Sequence, residues 1–231
     1  MAAIPAGPFT GLDAATGAVL WTNDQVKATW SSPVFWRTAG KTYFVVRDGY
    51  KLICVEPKPG TVIWSVSDFS PDMTYSGMTP AIEGDRLVIG GKGAVKLYKL
   101  TLERAELLWS VDCPTDYCCS PTICNGRVYV FGRGGGTCID ADTGKVVWQD
   151  KEIKVGCYTT PLLADGKAFL QGAKQGSMVD GSLFMISIAG DKPAFLGEGK
   201  DRQANCTSPA LVDGRLFCRL PKRIACYDLR P

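Results

Sequence analysis

The chain has 231 residues, 45% of them hydrophobic and 21% charged, with a formal net charge of +3. That is enough apolar material for one sizeable core, or for an array of small units that share cores by stacking. No run of like charge exceeds two or three residues and no apolar run approaches the roughly 20 residues a bilayer span needs, so neither a nucleic-acid partner nor a transmembrane segment is expected.

From the N-terminus, Met1 to Thr10 shows no basic region leading into an apolar one, so no export signal is read there. Residues 1 to 22 supply a terminal hairpin, Gly11-Leu12-Asp13-Ala14-Ala15-Thr16-Gly17-Ala18-Val19-Leu20-Trp21. Its pattern is a short apolar strand, a turn in which Asp caps its own backbone and Gly supplies a positive φ, then a β-branched strand ending in Trp. The pattern returns at Cys54 to Trp64 and at Cys138 to Trp148, each time with eight steps from acid to Trp.

A second marker, Ser or Thr before Pro, precedes each later hairpin: Ser32-Pro33, Thr79-Pro80, Ser120-Pro121, Thr160-Pro161 and Ser208-Pro209. After each marker comes a short apolar strand, a Gly-containing turn and a second strand. The unit is therefore four strands in about 40 to 48 residues, the period of a propeller blade. Full units run from Trp30 to Trp64, Tyr75 to Trp109, Tyr117 to Trp148 and Tyr158 to Phe195. In the second, Lys99 to Glu103 replaces the acidic turn. In the fourth, Ser187 holds the acid position and Phe195 stands where Trp is expected. A fifth begins at Asn205 and lacks its outer strand.

Helix is excluded, because 26 Gly and 14 Pro interrupt every window that could keep apolar residues at three- and four-residue spacing. The fold class is all-β, a β-propeller of about five four-stranded blade units, four of them complete. A Trp closing the last strand of each unit, at Trp21, Trp64, Trp109 and Trp148, is placed to rivet one blade to the next, its ring buried and its N–H given to a backbone carbonyl.

The ten cysteines follow the repeat rather than a disulfide framework. Cys54, Cys138 and Cys226 share one strand position, and Cys124 and Cys218 align with apolar residues of other units, so small buried thiols are expected. The chain has no His and no paired-cysteine metal motif, so no metal site and no catalytic residue is assigned. Gly132 to Gly136 and Gly90 to Gly93 look like phosphate cradles, yet each falls between strands with no helix to follow; they read as hairpin turns. Asn205-Cys206-Thr207 is a glycosylation sequon, meaningful only in a secreted eukaryotic chain.

The spacing Asp-x-x-Thr-Gly-x-x-x-Trp, together with the marker and the Gly-turn strand pair, resembles the pyrroloquinoline-quinone-type (PQQ-like) propeller repeat over residues 9 to 229. The resemblance implies four-stranded antiparallel blades with tryptophan docking, in rings usually of seven or eight. Four complete units and two partial ones then read as the C-terminal portion of a larger ring, the alternative being a five-bladed ring in which Ala18 to Trp21 supplies the outer strand of the last blade, and 1–231 as a single domain. The family includes quinone-dependent dehydrogenases and scaffolds of the BamB type, which serve outer-membrane protein assembly, so it suggests a bacterial, periplasmic or cell-envelope parent. Its dehydrogenases hold calcium, and several carry a disulfide between adjacent cysteines. Cys118-Cys119 is similar, but it lies inside the repeat just before Ser120-Pro121, and a vicinal disulfide remains the alternative to a repeat position.

Two functions follow as expectations. The first is a non-catalytic scaffold or binding module for a protein or small ligand, with no cofactor. The second is a fragment of an alcohol or sugar oxidoreductase using PQQ with calcium. Positions just before each marker are the least repeated in the unit, and only such positions can build one non-repeating site. They nominate Trp30, Met78, Cys118, Cys119, Tyr158 and Cys206 as a ligand-binding set on the central face.

Overall fold

The computed structural model describes residues 2–4, 7–27, 30–49, 51–67, 77–91, 93–115, 119–155, 160–173, 181–204 and 207–230. Cys118, Tyr158 and Cys206 lie outside them. The described residues form 22 strands and no helix. They divide into two compact units, Met1–Asp112 and Cys113–Pro231.

The first unit holds three antiparallel sheets. Sheet 1 is β1 (Ala2–Ile4), β2 (Phe9–Leu12) and β3 (Val19–Asn23). Sheet 2 is β4 (Val34–Thr38), β5 (Lys41–Asp48), β6 (Lys51–Val55) and β7 (Val62–Ser67). Sheet 3 is β8 (Ala81–Glu83), β9 (Arg86–Gly90), β10 (Ala94–Leu100) and β11 (Ala105–Asp112). The second unit repeats the plan. Sheet 4 is β12 (Thr122–Cys124), β13 (Arg127–Gly132), β14 (Gly135–Asp140) and β15 (Val146–Asp150); sheet 5 is β16 (Leu162–Ala164), β17 (Lys167–Ala173), β18 (Gly181–Ser187) and β19 (Ala194–Gln203). Sheet 6 is β20 (Ala210–Val212), β21 (Arg215–Arg219) and β22 (Ile224–Asp228). Strands follow one another in sequence order within every sheet, which is the up-and-down blade of a propeller.

Three local devices recur, and each explains a residue of the motif. The first hairpin turns on two residues of positive φ, as at Asn125-Gly126, Asp165-Gly166 and Asp213-Gly214. This is the type I′ geometry whose twist matches the strands it joins. Next, the residue after the acid position donates its N–H back to that turn: Ala141 to Gly126 at 3.0 Å, Ile188 to Gly166 and Leu229 to Gly214 at 2.8 Å. Finally, the carboxylates of Asp13 and Asp140 each accept the N–H and Oγ1–H of the Thr three residues on, at 2.9 to 3.0 Å. Gly17 and Gly144 then reach positive φ to close the loop onto the Asp carbonyl. These hydrogen bonds hold both carboxyls below the usual aspartate range.

Cores sit between sheets. In the first unit Trp36, Tyr43, Leu52, Cys54 and Trp64 of sheet 2 bury against Leu87, Ile89, Tyr98 and Leu100 of sheet 3. In the second, Tyr129, Phe131, Cys138 and Trp148 of sheet 4 meet Ala168, Leu170 and Ile186 of sheet 5. The markers tie sheets 2 and 3, and sheets 5 and 6, at one end. The Ser32 N–H donates to Thr79 Oγ1 at 3.1 Å, and the Thr160 N–H donates to Ser208 Oγ at 2.8 Å. A hydroxyl before the proline is thus the acceptor that ties a sheet to its neighbour. All five markers lie in coil immediately before the first strand of their sheet.

Four expectations are corrected by register and burial. Sheet 1 is a three-stranded sheet and not a hairpin alone, since Ala2–Ile4 pairs with Thr10 to Leu12. In the fourth unit the Trp position belongs to Gly197 and not to Phe195. Trp64 and Trp148 face Cys54 and Cys138 across their ladders, and the residue facing the equivalent Met185 is Gly197, while Phe195 faces Ile186. A turn two residues longer than that of sheet 4 hides this from linear counting, since Ile186 pairs with Phe195 where the equivalent Ile139 pairs with Val146. Cys226, expected in a core, is exposed, because β22 is the edge of a three-stranded sheet and no fourth strand lays a Trp across it. Cys124 is only half-buried. The other thiols of the set, Cys54, Cys138 and Cys218, are buried and form no disulfide.

Candidate functional site

Three of the seams inside the units carry a tryptophan, and the differences among them locate the site. At the seam of sheets 1 and 2, Trp21 donates Nε1–H to the Pro57 carbonyl at 2.6 Å. Its ring lies so close to Gly11 and Gly60 that a Cβ at either would collide with it, so glycine is required there for close approach. At the seam of sheets 2 and 3, Trp64 donates to the Thr101 carbonyl at 2.9 Å. This seam gains two further bonds that the repeat pattern did not reveal. Trp36 donates Nε1–H to Asp85 at 2.8 Å, and the buried Arg47 guanidinium donates to the carbonyls of Gly49 and Gly90 at 3.0 and 2.9 Å.

The seam of sheets 4 and 5 lacks this closure. Trp148 is 6% exposed, yet its Nε1–H has no acceptor, and Thr122 Oγ1 is the other buried side-chain atom without a partner among the described residues. The two stand at opposite ends of one row across sheet 4, Thr122, Tyr129, Cys138, Trp148, defined by the ladder pairs. In the middle of the row the Tyr129 hydroxyl reaches the Ile188 carbonyl at 3.5 Å. Ile188 follows the acid position of its turn as Pro57 does, so the carbonyl available to the indole in sheet 2 is here approached by Tyr129. Burial pushes the Tyr129 phenol up to about 12 and the Cys138 thiol up to about 11. Both are protonated at neutral pH; the row offers donors and no base or nucleophile.

Two clefts flank this seam. One, of about 530 Å³, lies beside the row, between the Asn125 turn and the turns at Asp165 and Ala189, where Arg127 pairs with Asp140 at 3.1 Å. The other, of about 440 Å³, has an apolar floor of Ile153, Phe184 and Ile186, with Phe195 beside them, and a rim carrying Asp150, Glu152 and Glu198. Phe195 is 67% exposed. It points to this side because, facing Ile186 rather than Met185, it belongs to the face of sheet 5 that meets sheet 4.

Of the nominated ligand set, Trp30 is 72% exposed and Met78 and Cys119 are buried. Met78 packs its sulfur over Gly90, and Cys119 belongs to the core of sheets 4 and 5. Both serve packing in this structure and present no surface to a ligand. The nominated docking residues Trp64 and Trp148 are buried, Trp21 and Trp109 half-buried. The groove residues were missed because they occupy repeat positions, where only the exchange of Trp for Gly197 and the longer turn at Ser187 to Pro193 signalled a difference. Among the described residues no three of Cys, Asp and Glu converge as a metal-binding group. No helix among them is long and apolar enough to cross a membrane.

Comparison with known proteins agrees with the architecture. The family model described as outer membrane protein assembly factor BamB matches residues 7–74 and 67–228. A curated protein of that name from Yersinia pestis is 22% identical over 194 residues, which are 74% of this chain and 46% of that one. The chain thus spans about half the length of that relative. The crystal structure of BamB from Moraxella catarrhalis superposes with a TM-score of 0.56 at 15% identity, covering 97% of this chain and 79% of that one. A europium-containing methanol dehydrogenase superposes at a TM-score of 0.44 over 54% of this chain and 24% of its own.

Proposed function

The chain belongs to the family of the outer membrane protein assembly factor BamB, with its PQQ-like propeller blades, and on that premise we propose that it is a non-catalytic module that binds a protein partner at the cell envelope in outer-membrane protein assembly. The observation that carries the reading is the seam of sheets 4 and 5, where the indole N–H that elsewhere fastens sheet to sheet has no acceptor among the described residues and a groove with an exposed aromatic wall opens beside it. Repeated positions hold the blades together, and the departure from repetition is what one specific partner can recognise. The groups that could drive chemistry in the row, Tyr129 and Cys138, are held in their neutral forms, which suits recognition.

Two measurements test this. The tagged chain is used as bait on detergent-solubilised cell envelopes with mass spectrometry of what is retained, and the purified chain is titrated with pyrroloquinoline quinone and calcium while tryptophan fluorescence is followed. A stoichiometric protein partner and no saturable quenching are expected. Saturable quenching by the quinone would overturn the reading in favour of an oxidoreductase fragment.

A further inference from the structure

Resting on the protein-binding reading, we propose that the 440 Å³ groove between sheets 4 and 5 seats an extended partner segment in which a large apolar side chain is flanked by Lys or Arg. The floor sets the first requirement. Ile153, Phe184 and Ile186 line it, and Phe195 stands 67% exposed at its side, an apolar surface that water leaves unfavourably hydrated until something covers it. The volume accommodates one aromatic or large aliphatic side chain, and it is far too small for a helix about 10 Å across.

The rim sets the second requirement. Asp150, Glu152 and Glu198 face Lys154 alone, so the groove is locally acidic on a chain whose formal net charge is +3. Asp150 accepts the Glu152 N–H at 2.8 Å and Glu198 accepts from the Ser182 hydroxyl; none of the three carboxylates is engaged in an ion pair among the described residues. Their charge is therefore available to a cationic partner, and it would repel an acidic one. The walls set the shape, since β15 and β19 are both outer strands of their sheets and leave an edge along which extended chain can lie.

The test uses fluorescein-labelled pentapeptides and anisotropy with the full chain. An alternating lysine–phenylalanine peptide should bind saturably and weaken with added salt. An alternating lysine–serine peptide and an alternating glutamate–phenylalanine peptide should each bind at least about tenfold more weakly. Phe195→Ser and Glu198→Lys, both at exposed positions, should each raise Kd for the first peptide about tenfold or more at unchanged Tm. Equal binding by wild type and both variants, or no binding of the first peptide, overturns the inference. Envelope capture with the same variants separates the two levels: a partner retained in full by both shows that it docks elsewhere and sinks only the groove, whereas no partner on the wild-type chain sinks the binding reading itself.

Discussion

At the residue scale the tryptophans are equivalent in sequence and unequal in energy. Trp64 gives its N–H to Thr101, so Trp64→Phe strands that carbonyl and is expected to destabilise the chain by about 1–2 kcal/mol in urea unfolding. Trp148→Phe deletes an N–H that nothing among the described residues accepts, and should change stability by less than about 1 kcal/mol; a loss equal to that of Trp64→Phe would show the orphan to be satisfied. The thiols divide in the same way. Burial pushes Cys54 up to about 12 and raises Cys218, so native protein should react with a thiol reagent at Cys226, while Cys54, Cys138 and Cys218 label only after unfolding. The sign of the pH effect follows. A group whose folded pKa is raised contributes stability below its unfolded value near 9 and loses it as pH rises toward 12, so alkaline melting should be steeper than in Cys54→Ala, measured as Tm against pH. At the acid end Asp13 and Asp140, held low by their turn hydrogen bonds, contribute stability above their unfolded value near 4 that is lost as pH falls below it.

At the scale of the element, each sheet is a repeated solution and its exceptions are informative. Arg47 reaches from β5 to the end of β9, and Arg47→Met is expected to cost about 2–4 kcal/mol in chemical unfolding, because two buried carbonyls lose a charged donor. In sheet 5 a Cβ built on Gly197 meets nothing within 4 Å, and Met185 opposite is only half-buried, where Cys54 and Cys138 lie covered by indole. Gly197→Trp should therefore raise stability by about 1 kcal/mol, read as an increased Tm. Strand order, the type I′ turns and the Asp-x-x-Thr-Gly loop were legible because each is dictated by residues adjacent in sequence. Gly197 was not, because the turn before it is two residues longer and only the ladder shows which residue faces Met185. The groove was illegible for a related reason. Phe195 and Glu198 are ordinary outer-strand residues until sheet 4 is set beside them, and Tyr129 competes for a carbonyl 59 residues away.

At the scale of the whole molecule, both units are built on the same rule, cores between sheets rather than within them, so every sheet needs a neighbour on each face. Sheet 6 differs in having only three strands among the described residues. Along the edge strand β22, Ile224 is 74% exposed and Cys226 uncovered, an unpaired strand of the kind that templates association. Concentration-dependent self-association is expected in light scattering, and Ile224→Lys should reduce it. The paired markers lead to a different observable. Ser32 and Thr160 lie in coil, where an amide hydrogen ordinarily exchanges with solvent deuterons within moments, yet each is bonded to a hydroxyl on the adjoining sheet. Their two exchange rates, one in each unit, therefore act as clocks for how often neighbouring sheets part, Ser32 for sheets 2 and 3 and Thr160 for sheets 5 and 6.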